Sequence, residues 1–366
     1  MKVCCIFNYN PLYRFPIYKA ISEKFNCDFF FARPNKCDIK QFDPNELRGF
    51  KSLLDVKRIN RIFTTYCDIN KTLKSEYTHF ILTGEPYVLS NWIIIIYALL
   101  TGKKVYLWTH GLYSHVKKIW TRIYLKLFYK HVDLLLYGES SLEYMLDLGC
   151  KPDKIHFIHN SLNTDFQTSV YSENLKSAFY SELFGNSSPV VIYIGRIQKV
   201  KKIDQLIKAL SILKSKGYIV NLILVGPDSD DHSIKYLVDQ LELSNQVYFY
   251  GECFDEIKNA ELIYNADVCV SPGNVGLTCI HSLTYGTPVI TNDNFKIQMP
   301  EYEAIIPGVT GDFFKENDVD DLSTVILNWV YLNEDQRNSI RNSARETVLK
   351  SWSVQYQMSL FETILK

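Results

Sequence analysis

The sequence lacks a net charge, a long apolar run and any Cys-x-x-Cys pair, and each absence narrows what the chain does. Lysine plus arginine number 40, and aspartate plus glutamate also number 40. The whole chain therefore offers no excess of positive charge for nucleic acid. The most hydrophobic stretch, Trp92–Leu100, is nine residues long. A helix needs roughly 20 to cross about 30 Å of hydrocarbon, so this stretch reads as a buried helix of a first domain. Val3–Phe7 after Met1-Lys2 is too short for a signal peptide and breaks at Asn8-Tyr9-Asn10-Pro11. The nine cysteines are odd in number, and several lie inside strand-like apolar runs. That usage reads as a cytosolic chain with reduced thiols and no zinc spacing. A composition of 47% hydrophobic, 22% charged and 14% aromatic residues excludes a disordered or collagen-like chain.

What is present is enough chain for two domains, at 366 residues. The zero net charge is a sum of opposites: residues 1–160 hold 23 basic and 14 acidic side chains, a balance of +9, and residues 161–366 hold 17 and 26, a balance of −9. Two halves of opposite sign are expected to meet different things. Short apolar runs alternate with helical stretches in both halves: Val3–Phe7, Cys27–Phe31, Phe80–Leu82, Lys104–Trp108 and Leu134–Tyr137, then Val190–Ile194, Val220–Val225, Val247–Tyr250, Val268–Ser271 and Pro288–Thr291. Continuous apolar strands joined by helices predict a parallel sheet covered on both faces, hence an α/β chain with a doubly wound domain in each half. The expected division is residues 1–165, a linker at 166–188, and residues 189–350, with a final helix at 351–366. Ligands of such sheets bind beyond the carboxyl ends of the strands.

The loop after Val190–Ile194 reads Gly195-Arg196-Ile197-Gln198-Lys199-Val200-Lys201-Lys202-Ile203-Asp204. A glycine for the turn, an arginine fork and lysines at a helix start would hold a phosphate; the same composition also suits a solvated basic turn. The segments that follow are Val225-Gly226-Pro227, Val247–Gly251, Ala266–Pro272, Gly276-Leu277 and Tyr285-Gly286-Thr287-Pro288-Val289-Ile290. In order and spacing, residues 190–325 resemble the carboxyl-terminal domain of glycosyltransferase family 4, retaining enzymes of GT-B architecture. The resemblance implies two Rossmann-like domains facing a central cleft, with the last helix crossing back to the first domain. It implies that Arg196 and Lys201 grip a donor diphosphate after the Gly195 turn. It further implies that Gly276 and Leu277 present helix amides to phosphate and sugar, and that Gly226 and Cys253 frame the base.

One departure stands out. The family's glutamate pair around this glycine-leucine is replaced by Gly273 and His281. The resemblance makes His281 the ribose-binding residue, since a histidine accepts one hydrogen bond through its unprotonated nitrogen, and Asn274 the substitute for the first glutamate. A helix-face histidine packed on the sheet is the alternative for His281. Asp228-Ser229-Asp230-Asp231 contains an Asp-x-Asp, read here as a helix cap after the turn, so no metal or other cofactor is expected beside a UDP- or GDP-sugar donor.

In the first half, the Pro-x-Tyr-Arg turn at Pro11–Arg14 resembles that of polysaccharide enzymes of the same family. It makes Tyr13 and Arg14 candidates for acceptor or phosphate contact, although a surface arginine at a helix start fits equally. Leu107-Trp108-Thr109-His110-Gly111 ends a strand with a histidine where the family places one near the reacting sugar, and Tyr137–Ser140 and His159–Leu162 are similar to its last two first-domain loops. No acidic residue occurs from Pro86 to Val132. Within Lys117–His131, Lys118, Arg122, Lys126 and Lys130 recur every four residues beside Trp120, Tyr124 and Phe128. That pattern predicts either attraction to an anionic membrane or an ordinary solvated helix face. The expectation is a metal-independent retaining hexosyltransferase of cell-surface polysaccharide synthesis. It would use a nucleotide sugar and a glycan or lipid-linked acceptor, sit in the cytoplasm or on the inner face of the plasma membrane, and bind no nucleic acid. A degenerate nucleotide- or glycan-binding protein and a sugar-nucleotide epimerase are the alternatives.

Overall fold

The computed structural model describes residues 1–33, 39–171, 175–227 and 233–366. The chain divides into two units, Met1–Asn163 with Val354–Lys366, and Thr164–Ser353. The first runs β1 (Val3–Phe7), α1 (Phe15–Lys24), β2 (Cys27–Ala32), β3 (Phe50–Leu54), β4 (Val56–Arg58), β5 (Thr64–Tyr66), β6 (His79–Thr83), α2 (Leu89–Leu100), β7 (Lys104–Thr109), α3 (Ile119–Tyr129), β8 (Asp133–Leu136), α4 (Leu142–Leu148) and β9 (Ile155–Phe157). Seven of these strands form a parallel sheet in the order β3-β2-β1-β6-β7-β8-β9, while β4 and β5 pair antiparallel. Every residue of β1 and β2 is buried, as expected for strands covered on both faces, and this is why they read as unbroken apolar runs.

The second unit runs α5 (Thr164–Tyr171), α6 (Phe179–Phe184), β10 (Val190–Ile194), α7 (Ile203–Ser215), β11 (Asn221–Val225), α8 (Ser233–Gln240), β12 (Val247–Gly251), α9 (Glu256–Asn265), β13 (Val268–Ser271), α10 (Leu277–Thr284), β14 (Val289–Asn292), β15 (Gly311–Phe314), α11 (Val319–Val330) and α12 (Glu334–Ser351). Its six strands are parallel in the order β12-β11-β10-β13-β14-β15. Strand order reverses at β1/β6 in one sheet and at β10/β13 in the other. Loops part there, and a ligand crevice opens beyond the strand ends.

The final helix, α13 (Val354–Ile364), belongs to the first unit. Phe361 packs 5.4 Å from the Trp108 ring, Tyr106 Oη donates to the Ile364 carbonyl at 3.0 Å, and Lys24 pairs with Glu362 at 3.0 Å.

Three expectations differ from what is observed. The segment read as a linker carries α5 and α6 and packs into the second unit: Tyr180 Oη donates to the Leu262 carbonyl at 2.6 Å, and Gln167 Nε2 to Glu256 at 2.9 Å. Helix α2 is not buried all round, because the sheet covers only the side carrying Ile94, Ile95 and Ala98. Ile93, Ile96, Leu99 and Leu100 stay exposed, Leu100 at 82%. On α3 the aromatic row is split. Trp92 of α2 packs 5.0 Å from Tyr124 and 5.1 Å from Phe128, whereas Trp120 is 80% exposed. The basic row is broken too, since Arg122 forms a forked pair with Asp147 (2.6 Å at Nη1). The solvent side of α3 instead carries the apolar Ile119, Trp120, Ile123 and Leu127 together with Lys126.

Candidate functional site

The loops after β10, β11 and β12 close on one another through backbone. Gly195 N–H donates to the Val225 carbonyl and Gly226 N–H to the Gly251 carbonyl, both at 2.8 Å. A Cβ on Gly226 would stand 2.0 Å from the Gly195 carbonyl oxygen, and its φ of +141° is a glycine conformation. These loops therefore sit closer than any side chain at Gly226 would permit. Arg196 leaves this turn exposed, and Tyr193 Oη fixes its carbonyl at 2.7 Å.

Lys201 lies across the switch point from Asn274. Its Nζ donates to the Asn274 carbonyl at 2.7 Å, and its own carbonyl accepts from Gly273 N–H at 2.9 Å. Burial, with the Arg196 charge adding to it against the opposing pull of buried Glu301, lowers the Lys201 amine to about 8. Gly273 is the residue that lets the two loops meet, since a Cβ there would lie 2.2 Å from the Val200 carbonyl oxygen and 2.7 Å from Lys201 Cα. Asn274 Oδ1 is buried and has no hydrogen-bond partner. Such an atom calls for a donor, and the hydroxyl of a ligand would supply one. Helix α10 begins at Gly276 with no side-chain cap, so its first-turn amides form an anion-binding end.

His281, one turn into α10, hydrogen-bonds through Nε2 to Glu256 Oε1 at 2.8 Å. The same oxygen accepts from Tyr285 Oη at 2.7 Å and Gln167 Nε2 at 2.9 Å. Burial pushes this carboxyl up, yet His281, Tyr285 and Gln167 together hold it at about 2. Nε2 of His281 is thus spoken for, and Nδ1 is the ring nitrogen left for a ligand. The carbonyl of Cys253 accepts from Asn259 Nδ2 at 3.2 Å. The Asp228–Asp231 motif lies outside the described residues. Among the described residues, no three His, Cys, Asp or Glu side chains gather as a metal site.

In the first unit, Arg14 is not a surface arginine: it is 8% exposed and boxed by rings, its guanidinium 5.3 Å from Trp108, 5.1 Å from Tyr137 and 5.6 Å from Tyr13. It donates to the hydroxyls of Tyr137 and Tyr18, while Nε has no partner. His110, just past β7, packs at a tilt against Tyr137 with ring centroids 4.4 Å apart. Burial, helped by the Arg14 charge, pushes it down to about 4, so the ring is neutral at physiological pH. The structure brings Gly195, Arg196, Lys201, Asn274, Gly276 and Leu277 to one switch point, and Tyr13, Arg14 and His110 to the other sheet. Sequence reasoning missed three acids, Glu85, Glu256 and Glu301. A single glutamate in a loop or at a helix start carries no spacing signal, and only its neighbours in space give it meaning.

Residues 177–347 match the family model described as glycosyl transferases group 1. The chain is 25% identical over 368 residues to the capsular polysaccharide biosynthesis glycosyltransferase CapM of Staphylococcus aureus, covering 94% of this chain and 92% of that one. It is 23% identical over 262 residues to an uncharacterized 41.2 kDa protein in the cps region of Klebsiella pneumoniae, with 70% and 66% covered; the match spans just under two thirds of that relative. The fold is that of the Anabaena protein Alr3699/HepE, solved in complex with UDP, at a TM-score of 0.75, 14% identity and full coverage of both chains. The same protein is also known with UDP-glucose, at a TM-score of 0.69 and 15% identity, covering 100% of this chain and 99% of that one. The architecture is therefore GT-B, two doubly wound Rossmann-like units.

Proposed function

We propose that the protein is a retaining glycosyltransferase that moves a sugar from a nucleotide diphosphate sugar to a glycan or lipid-linked acceptor in the making of a cell-surface polysaccharide. The observation that carries this reading is the meeting of Arg196, Lys201 and the uncapped start of α10 at one switch point. When the bond between the anomeric carbon and the diphosphate breaks, the bonding pair leaves with the diphosphate. Two cationic side chains and a helix N-terminus stand ready for that charge, preorganised and partly buried, where electrostatic stabilisation is strongest. An amine lowered to about 8 by burial is restored to its charged form by a bound diphosphate. Asn274 and His281 are assigned to the donor's hydroxyls, Gly226 and Cys253 to its base, His110 to the transferred sugar, and Tyr13 and Arg14 to the acceptor side. The UDP complexes of HepE favour a uridine donor, and the name of CapM favours a capsular product. Retention of configuration rests on the family 4 resemblance. Incubation with a panel of UDP- and GDP-sugars, followed by nucleotide release and by NMR of the product's anomeric proton, tests the reading. Nucleotide release from none of them would leave a binding protein.

A second observation favours attachment to an anionic membrane. The exposed apolar side chains of α2 and α3 lie on helices packed together through Trp92, Tyr124 and Phe128, with exposed Lys117, Lys118 and Lys126 beside them. An interfacial helix pair buries such side chains in the headgroup region, and each nearby lysine adds about 1 kcal/mol. Such attachment would bring a lipid-linked acceptor within reach of the enzyme on the cytoplasmic side.

A further inference from the structure

The first sheet has its own switch point, and the two strands that part there are bridged by a side-chain pair that the donor chemistry does not use. Asn8, just past β1, donates from Nδ2 to Glu85 Oε1 at 2.6 Å, and its backbone N–H donates to Thr83 Oγ1 at 3.1 Å. Glu85 follows β6 and sits in the crevice with its N–H bonded to the Thr83 carbonyl at 2.8 Å. Oε2 is not among the buried unpartnered atoms and makes no bond within the protein, so it faces solvent. A carboxylate has about four acceptor positions, and Asn8 fills one.

The charges around it are few. Among the described residues no cation stands within ion-pair distance of Glu85, but the buried Arg14 guanidinium acts on it through space, as it does on His110 at the next strand end. Burial raises the Glu85 carboxyl, while the Asn8 bond and Arg14 pull it back toward ionisation. Arg14 itself is closed off by its ring box, so its charge supports the crevice without entering it. Rings accompany these polar groups: Tyr13 over Arg14 and Tyr113 stacked on His110 at 6.1 Å, whereas Tyr87, two residues past Glu85, packs on Tyr124 of α3 at 5.9 Å. A solvent-facing carboxylate oxygen at the same strand ends as these rings suits a ligand that is polar at its edges and has a flat C–H face, which is the chemistry of a neutral sugar.

We propose that Glu85 Oε2 accepts a hydrogen bond from a hydroxyl of a neutral acceptor sugar bound in this crevice. The inference rests on the glycosyl-transfer reading and deepens it by naming the sugar's charge and the group that holds it. An acidic sugar is disfavoured, because its carboxylate would stand against Glu85 in a partly buried site.

Saturation-transfer NMR with three neutral probes (the methyl glycosides of glucose, galactose and N-acetylglucosamine) and with glucuronate tests this on the intact protein. Glu85→Gln keeps an oxygen for Asn8 and removes the charge; Asn8→Ala removes the amide and keeps the charge. At least one neutral glycoside is expected to bind the native protein, with its signal falling about fivefold in Glu85→Gln, the size of a lost charge-assisted hydrogen bond. Asn8→Ala should weaken it as well, with the melting temperature of Glu85→Gln unchanged. Equal signals in the native and Glu85→Gln proteins would overturn the proposal, as would no neutral glycoside binding or stronger binding of glucuronate. UDP affinity, measured in parallel by calorimetry, should change less than about twofold, as for independent sites. Loss of UDP binding from the native protein would count against the donor reading alone and leave the glycoside comparison to decide Glu85.

Discussion

Glu256 and His281 form a hydrogen-bonded pair of 2.8 Å between α9 and α10, at the position where the resemblance to family 4 would put a glutamate on α10 itself. The negative charge at this corner is supplied by the neighbouring helix, from Glu256. Glu256 serves Tyr285 and Gln167 with the same oxygen, so the pair also ties α5 to the sheet-covering helices.

This arrangement makes stability sensitive to acid. A carboxyl held at about 2 in the folded chain, below its usual 4.5, contributes stability that is complete above pH 4.5 and lost as pH falls from 4.5 toward 2. Urea unfolding from pH 7 to pH 3 should show a stability loss that is reduced in Glu256→Gln. At pH 7 the variant should be about 1–3 kcal/mol less stable, the cost of leaving the buried donors poorly matched.

Lys201 gives a prediction in the opposite pH direction. Its amine, at about 8 in the free protein, must be charged to hold a diphosphate, so binding above pH 8 requires proton uptake. UDP affinity measured by calorimetry should therefore fall from pH 8 to pH 9.5, with proton uptake visible as a buffer dependence of the heat. Lys201→Met should lose about tenfold or more in UDP affinity at pH 7, the scale of a charge-assisted contact, and should lack the alkaline limb.

If Arg196, Lys201 and the α10 amides carry the diphosphate charge, sugar transfer should proceed at full rate in EDTA. Activity abolished by the chelator and restored by a divalent ion would contradict that distribution of charge.

The exposed face of α2 and α3 predicts sedimentation with vesicles containing anionic lipid at low salt. Trp120→Asp and Ile96→Asp should reduce it strongly, because each puts a charge where an apolar side chain meets the bilayer. Lys117→Glu should reduce it in a way that raised salt masks. Equal sedimentation of all four proteins would remove the membrane from the reading.

The strands were legible because helices bury them on both faces. Val3–Phe7 and Val190–Ile194 are unbroken apolar runs, and their boundaries are the observed ones. The glycine-arginine-lysine loop was legible because a turn, a fork and a helix start follow at fixed spacing. The side of α2 that meets solvent was not legible, since a helix carrying isoleucine at four successive positions has no polar face to announce its orientation. Arg14 misled in a similar way. A charged residue is rarely buried, and only the rings of Trp108 and Tyr137, far along the chain, explain why this one is. Glu85 and Glu256 were invisible for the same reason, because their partners come from other strands and helices.

The crowding at Gly273 bears on how this chain could change. The loop carrying Lys201 occupies the volume that a side chain at 273 would need, with the Val200 carbonyl 2.2 Å from where a Cβ would be. A glutamate there is not one substitution away; it first requires that loop to withdraw, and with it the lysine. A side chain at 273 and the position of Lys201 are thus coupled, and the two loops can change only together.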